Sequence, residues 1–144
     1  GASFVSSNHS PTVPTIPRRL RIGNLIHGLL LWQEGVAEPL IKNISEYRVR
    51  FEKLECGPPS PSVPLKDTLV FEAEVRFQGT VELEKELEEL FKGLAEEILR
   101  EKFAEKMLEL KHAEEKGDIP LAEKLLIECQ SISKELHTLT KSNK

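Results

Sequence analysis

Two stretches of helical apolar periodicity, joined by Gly117-Asp118-Ile119-Pro120, constrain the fold of this chain more than any other feature. From 81 to 116 the apolar residues recur at helical spacing: Leu83, Leu87, Leu90, Leu94, Ile98, then Leu99, Phe103, Met107 and Leu110. After the turn, Leu125, Cys129, Ile132, Leu136 and Leu139 step alternately by four and three, the spacing of a single helix seam. Gly117 suits the left-handed position that stops a helix. Asp118 can cap the next one, with Pro120 in its first turn, where a missing N–H costs little. Folding back at Gly117 predicts an antiparallel hairpin with Leu110 near Leu121 and Leu125, Met107 near Cys129, Phe103 near Ile132, and Leu99 near Leu136.

The first of these helices is the longer. At a rise of about 1.5 Å per residue, 81–116 spans roughly 50 Å, and its partner over 118–140 covers only part of that. Leu83, Leu87, Leu90 and Leu94 need another surface, and residues 17–79 are the candidate. Thr15 is expected to cap a helix with Pro17 in its first turn. Leu20, Leu25, Ile26, Leu29, Leu30 and Trp32 give that helix a wide apolar face, and Gly23 and Gly28 permit close helix–helix approach. Gly35 should break the run. A second helical segment is expected over 36–47, around Leu40, Ile41 and Ile44, with Pro39 in its first turn. The proline-rich stretch 54–64 reads as a loop. Residues 65–79 are ambiguous, since Phe71, Ala73, Val75 and Phe77 alternate as in a strand. A lone strand has no partner here, so a helix is preferred.

The expected fold is therefore all-α: a small helical bundle joined by a long helix to a C-terminal antiparallel helical hairpin. Residues 17–94 form the bundle and 95–144 the hairpin. Residues 1–16, rich in Ser, Thr and Pro, form a flexible arm or linker. A start at Gly1-Ala2-Ser3 is read as the cut end of a longer chain.

Composition narrows the function. The chain is 144 residues long, which fits one domain or one domain with an appendage. Charged residues make up 31% of it, as suits elongated helices with much surface, and the net charge of −4 gives no basic field to gather phosphate. That charge is uneven: 18–53 holds seven basic residues against four acidic, whereas 81–116 holds seven against twelve. Cys56 in a loop and Cys129 on a seam do not suggest a disulfide framework, and Cys129 reads as a small core residue. The apolar run 20–32 is too short to span a bilayer and is interrupted by Asn24 and His27. A soluble, cytoplasmic protein is expected.

Sharper chemical readings weaken on inspection. Glu109 and His112 have the Glu-x-x-His spacing of di-iron carboxylate bundles, but no second pair accompanies them. His27 reads as a partly buried histidine rather than a ligand or base. Nothing activates Cys56 as a nucleophile toward His27. The expectation is a non-catalytic chain with no cofactor and no metal.

The arrangement resembles the C-terminal helicase-binding domain of bacterial DNA primases. The resemblance rests on Arg19-Leu-Arg-Ile-Gly-Asn-Leu-Ile-His-Gly-Leu-Leu-Leu, on Gly35-Val-Ala-Glu-Pro-Leu-Ile, and above all on 83–139. There a long Leu/Glu helix meets a Gly-Asp turn, then Ala122, Leu125, Leu126 and Gln130, then Leu136 and Leu139. It covers most of the chain from Arg18 onward, while 54–79 departs from the pattern. The resemblance implies a module that docks on the N-terminal collar of the hexameric replicative helicase and carries no primase chemistry. The chain has no Cys/His zinc cluster and no Asp-x-Asp pair to hold Mg²⁺.

In such a role the apolar groups at the turn become candidate anchors: Ile119 and Leu121, with Leu126 and Ile127 off the main seam. Glu114, Glu115, Lys116, Asp118 and Lys124 would form a charged rim, and Leu136 and Leu139 would be anchors second to their seam role. For each apolar residue, burial within the hairpin is the competing reading. Arg18, Arg19 and Arg21 could add a weak DNA contact. Two other functions remain open. A nucleic-acid-binding helical arm would want a basic stripe along the hairpin. A homodimerising coiled-coil scaffold would want an unbroken seam, and this one slips at Ile98–Leu99.

Overall fold

The computed structural model describes residues 17–55 and 63–141. Five helices make up the regular structure of these residues, with no strand among them: α1 (Arg18–Glu34), α2 (Ile44–Glu55), α3 (Val63–Phe77), α4 (Leu83–Lys116) and α5 (Ile119–Lys141). The fold is all-α. The arm over 1–16, the Thr15 cap and Cys56 lie outside the described residues.

α1 starts after Pro17, whose carbonyl accepts the Arg21 N–H at 3.0 Å, and stops at Gly35. Its buried apolar side chains are Ile22, Ile26, Leu29 and Leu30, whereas Leu20, expected on that face, is exposed. Gly28 is where α1 and α3 meet most closely. A Cβ built there would lie 2.3 Å from the Leu69 carbonyl oxygen and 3.3 Å from the Ala73 Cβ, so only glycine fits.

Of the helix expected over 36–47, only 44–47 is helical, as the first turn of α2. The chain turns and bends from Gly35 to Asn43, and α2 begins only at Ile44. Pro39 explains this: it lacks an N–H and steers the preceding residue away from helical angles. Side chains satisfy the backbone instead. The buried Gln33 accepts the Leu40 N–H on Oε1 at 2.6 Å, and Glu84 accepts the Lys42 N–H at 2.8 Å. Ile41 is buried by this turn, while Leu40 faces solvent. Asn43 then takes a left-handed φ of 57°, and its carbonyl accepts the Glu46 N–H at 3.0 Å to open α2.

α3 settles the ambiguous stretch as a helix. Leu69, Ala73 and Phe77 recur every four residues and are buried, with α1 as the main packing partner. A strand would have put Phe71 and Val75 on the same side as Ala73; in the helix they face away and are exposed.

α4 belongs to two cores. Its first half brings Leu83, Leu87, Phe91 and Leu94 into the bundle core with Ile26, Leu29, Phe51 and Phe77. Its second half joins a smaller core of Leu110, Ala113, Leu125 and Cys129, with Phe103 and Ala122 against it. Gly117 has φ 75° and ψ 18°, and the N–H groups of Gly117 and Asp118 return to the carbonyls of Glu114 and Ala113. That pair of bonds is a Schellman closure. Asp118 Oδ1 accepts the Leu121 N–H at 3.3 Å, so it caps α5 as its sequence position suggests.

One seam residue is corrected. Met107, expected against Cys129, is exposed, and the helix phase instead directs Lys106 toward α5, where its Nζ lies 3.1 Å from Glu128 Oε1. Ala113, one turn nearer the bend, takes part in the core that the sequence reading assigned to larger residues.

Candidate docking surface

Helix α4, at 34 residues, is about 50 Å long, and only its first half is held in the bundle. The rest projects as a two-helix rod that ends at Gly117. At that free end a shallow groove of about 270 Å³ opens between the helices. Leu110, Ala113 and Ala122 form its floor, and Ile119 and Leu126 stand at its edge with Glu114, Asp118 and Glu123. The two alanines let α4 and α5 approach closely. Ile119 is 66% exposed, Leu126 47% and Leu121 42%, so the tip shows several apolar side chains that the hairpin does not cover. Glu114, Glu115, Lys116 and Lys124 are exposed around them.

The eleven residues expected to bind a partner do not form one surface. Ile127 is 65% exposed but follows Leu126 by a turn of about 100°, and it borders a different surface with Gln130, Ser131 and Lys134. Leu136 and Leu139 are half-buried at the opposite end of the rod. Leu139 lines one cleft with Leu99 and another with Leu54, Phe91 and Lys92, at the bundle end of the rod. Twenty residues of helix, about 30 Å, separate it from Ile119. Of the groove floor, Leu110 reads from the sequence as a seam residue and Ala122 enters only through the resemblance, while Ala113 carries no signal of its own there.

A polar cluster on the bundle was also missed. Tyr47 donates through its hydroxyl toward Glu88 and Glu84, at 3.2 and 3.3 Å, and Arg50 binds both oxygens of Glu88 at 2.9 and 2.8 Å. The Arg50 guanidinium also lies 4.3 Å from the centre of the Phe91 ring. Burial, then the charges of Glu88 and Glu84, push the Tyr47 hydroxyl up to about 12. Its hydrogen bonds with Arg50 hold Glu88 below the usual carboxylate range. A phenol kept protonated and a carboxylate kept charged tie α2 to α4 and offer no proton near neutrality. Some forty residues separate the partners in sequence, so periodicity gives no sign of them.

The N-terminal arginines are mostly engaged. Arg18 pairs with Glu97, and Arg19 lies 3.6 Å from Glu101. Arg21 lines a cleft of about 510 Å³ between α1, α3 and α4, together with Arg76, Glu72 and Glu89. Glu109 and His112 are both exposed, and the described residues contain no group of three His, Cys, Asp or Glu side chains placed to hold a metal ion. No helix among them is long and apolar enough to cross a membrane. No family model matches this chain, and no curated protein or solved structure matches it either.

Proposed function

We propose that this chain is a protein-docking module of the primase type, which binds the N-terminal collar of the hexameric replicative helicase during replication priming in the cytoplasm. The observation that carries the reading is the free end of the hairpin. Ile119, Leu121 and Leu126 are exposed there around a small apolar groove, on a rod projecting from its own bundle. Burying such side chains in a partner's helical groove is the usual source of docking energy, with charged groups at the rim steering the encounter. The pieces fit the resemblance: a bundle, a connecting helix and a hairpin, with chemistry left to other parts of a longer protein. Arg18, Arg19 and Arg21 contribute at most a minor DNA contact in this reading, because Arg18 and Arg19 already face carboxylates of α4.

The test is a calorimetric titration of the intact chain against the replicative helicase of its own organism, beside Ile119→Ser/Leu126→Ser. Both positions are exposed, so the variant should keep its fold. A loss of about tenfold or more in affinity is expected. No binding by the folded chain would overturn the helicase-docking reading, and unchanged binding by the variant would move the contact away from the tip.

A further inference from the structure

α3 carries apolar side chains on two opposite faces. Leu69, Ala73 and Phe77 are buried toward α1, whereas Phe71 and Val75, also one turn apart, are 66% and 61% exposed. At about 100° per residue, the exposed pair lies almost opposite the buried row. A helix that is apolar on both sides is usually covered on both sides. Here the bundle covers only one.

The surroundings of the exposed pair say what kind of cover fits. The positions three and four residues from Phe71 and Val75 are Asp67, Thr68, Glu72, Glu74, Gln78 and Gly79. Three are carboxylates and none is a cation. None of the three forms an ion pair among the described residues. Of these, Glu72 borders the cleft that it lines with Arg21 and Arg76, and Lys66 falls on the far side by helical spacing, so Asp67 and Glu74 are the charged groups left beside the pair. The apolar pair is therefore flanked by the carboxylates Asp67 and Glu74 among the neutral Thr68, Gln78 and Gly79. A second copy meeting this face with its own would oppose carboxylate to carboxylate, which is unfavourable.

We propose that the outer face of α3 is a second docking surface, whose partner is a basic amphipathic helix. Its apolar side chains would cover Phe71 and Val75, and its lysines or arginines would meet Asp67 and Glu74. The fifteen residues of α3 offer about 22 Å of length, matching about four turns of a partner. This surface is separate from the hairpin tip, and the inference does not depend on what binds there.

The probe is a fluorescein-labelled Leu/Lys amphipathic peptide of about 14 residues, titrated into the full chain beside a Leu/Glu peptide of the same pattern. Anisotropy gives the affinity and amide chemical shifts locate the site. The expected result is saturable binding of the Leu/Lys peptide alone, with shifts centred on α3. Phe71→Ser/Val75→Ser and Asp67→Lys/Glu74→Lys should each weaken it about tenfold, and Ile119→Ser/Leu126→Ser should leave it unchanged. Far-UV circular dichroism checks that each variant is folded. Shifts centred on the acidic face of α4, equal binding of the Leu/Glu peptide, or no saturable binding would overturn the proposal. So would a concentration-dependent dimer that dissolves in Phe71→Ser/Val75→Ser, which would make a second copy the occupant.

Discussion

The two halves of α4 share one Leu/Glu pattern and live in different surroundings. The first half is packed from several sides, and Leu83, Leu87, Phe91 and Leu94 are all among the most deeply buried residues of the chain. The second half packs mainly on α5, with Arg19 of α1 reaching Glu101 at its start, and its core is a cluster of four: Leu110 and Ala113 from α4, Leu125 and Cys129 from α5. Apolar periodicity reports only that a helix has an inward face; how many neighbours meet that face is decided elsewhere in the chain. The hairpin half, with less to bury, leaves Ile119, Leu121 and Leu126 exposed at its tip.

Truncating one large residue in each half tests that contrast most strongly. Phe91 fills the bundle core and also supports Arg50 on its ring face. Phe91→Ala should cost about 3–5 kcal/mol, enough to unfold much of a marginal domain, while Leu125→Ala in the thinner hairpin core should cost about 2–3 kcal/mol because the site can collapse. Urea denaturation followed by helical ellipticity reads both. Amide hydrogen exchange adds where the loss falls: Leu125→Ala should speed exchange over residues 103–136 and spare α1 and α3. Equal loss of protection throughout would mean that the two cores unfold as one unit and that the contrast has no energetic counterpart.

A smaller effect probes how the bundle is closed. Gly28→Ala places a methyl group against the backbone of Leu69, which has no rotamer to yield. Helix propensity alone would favour alanine by up to about 1 kcal/mol. Overpacking at a backbone contact should outweigh that, for a net loss of about 1–3 kcal/mol in thermal or urea unfolding. A neutral or stabilising result would mean that α3 can shift on α1, and the outer face of α3 would then have no fixed position from which to bind.

Much of this was legible in the residues, and the failures share a cause. The hairpin was readable because its rules are local: a seam of fours and threes, a glycine at the left-handed position, an aspartate that caps. α3 was readable as a helix by elimination, but which of its apolar residues face outward was not: the alternation of Phe71, Ala73, Val75 and Phe77 that suggests a strand hides the buried row Leu69, Ala73 and Phe77. The turn over 35–43 was not readable, because what stabilises it comes from afar, Gln33 from the preceding helix and Glu84 from α4. Met107 was misplaced for a subtler reason. A step from 103 to 107 to 110 looks like a seam, but with 3.6 residues per turn the phase drifts, and Lys106 arrives at the interface in its place. Of the candidate site, the tip residues could be named in advance but not sorted. Leu126 and Ile127 are neighbours in sequence on different faces, and Leu136 and Leu139 lie at the far end of the rod.

The smallest expected effect concerns His27, which shows whether the bundle half responds to acid separately from its carboxylates. Burial, and behind it the charge of Arg48, hold this imidazole below its ordinary value of 6.5. Its ring stands 5.8 Å from that of Phe51. As the pH falls through about 6.5 the unfolded chain takes up a proton that the folded chain still refuses, so the unfolded state binds more protons and stability declines. The decline levels off once the pH passes below the folded value, and above 6.5 both states are neutral and nothing is lost. Glu88 acts in a lower window, because Arg50 holds it below 4.5 in the folded chain and its contribution disappears only as that lower value is crossed. Urea midpoints taken from about pH 7.5 down to about 5.5 should therefore fall in the native chain, and His27→Gln should flatten that part of the profile while leaving the steeper acid limb in place. A native profile that rises below 6.5 would reverse the sign: the imidazolium would then have a partner in the fold, and His27 would be a charged contact rather than a buried neutral ring.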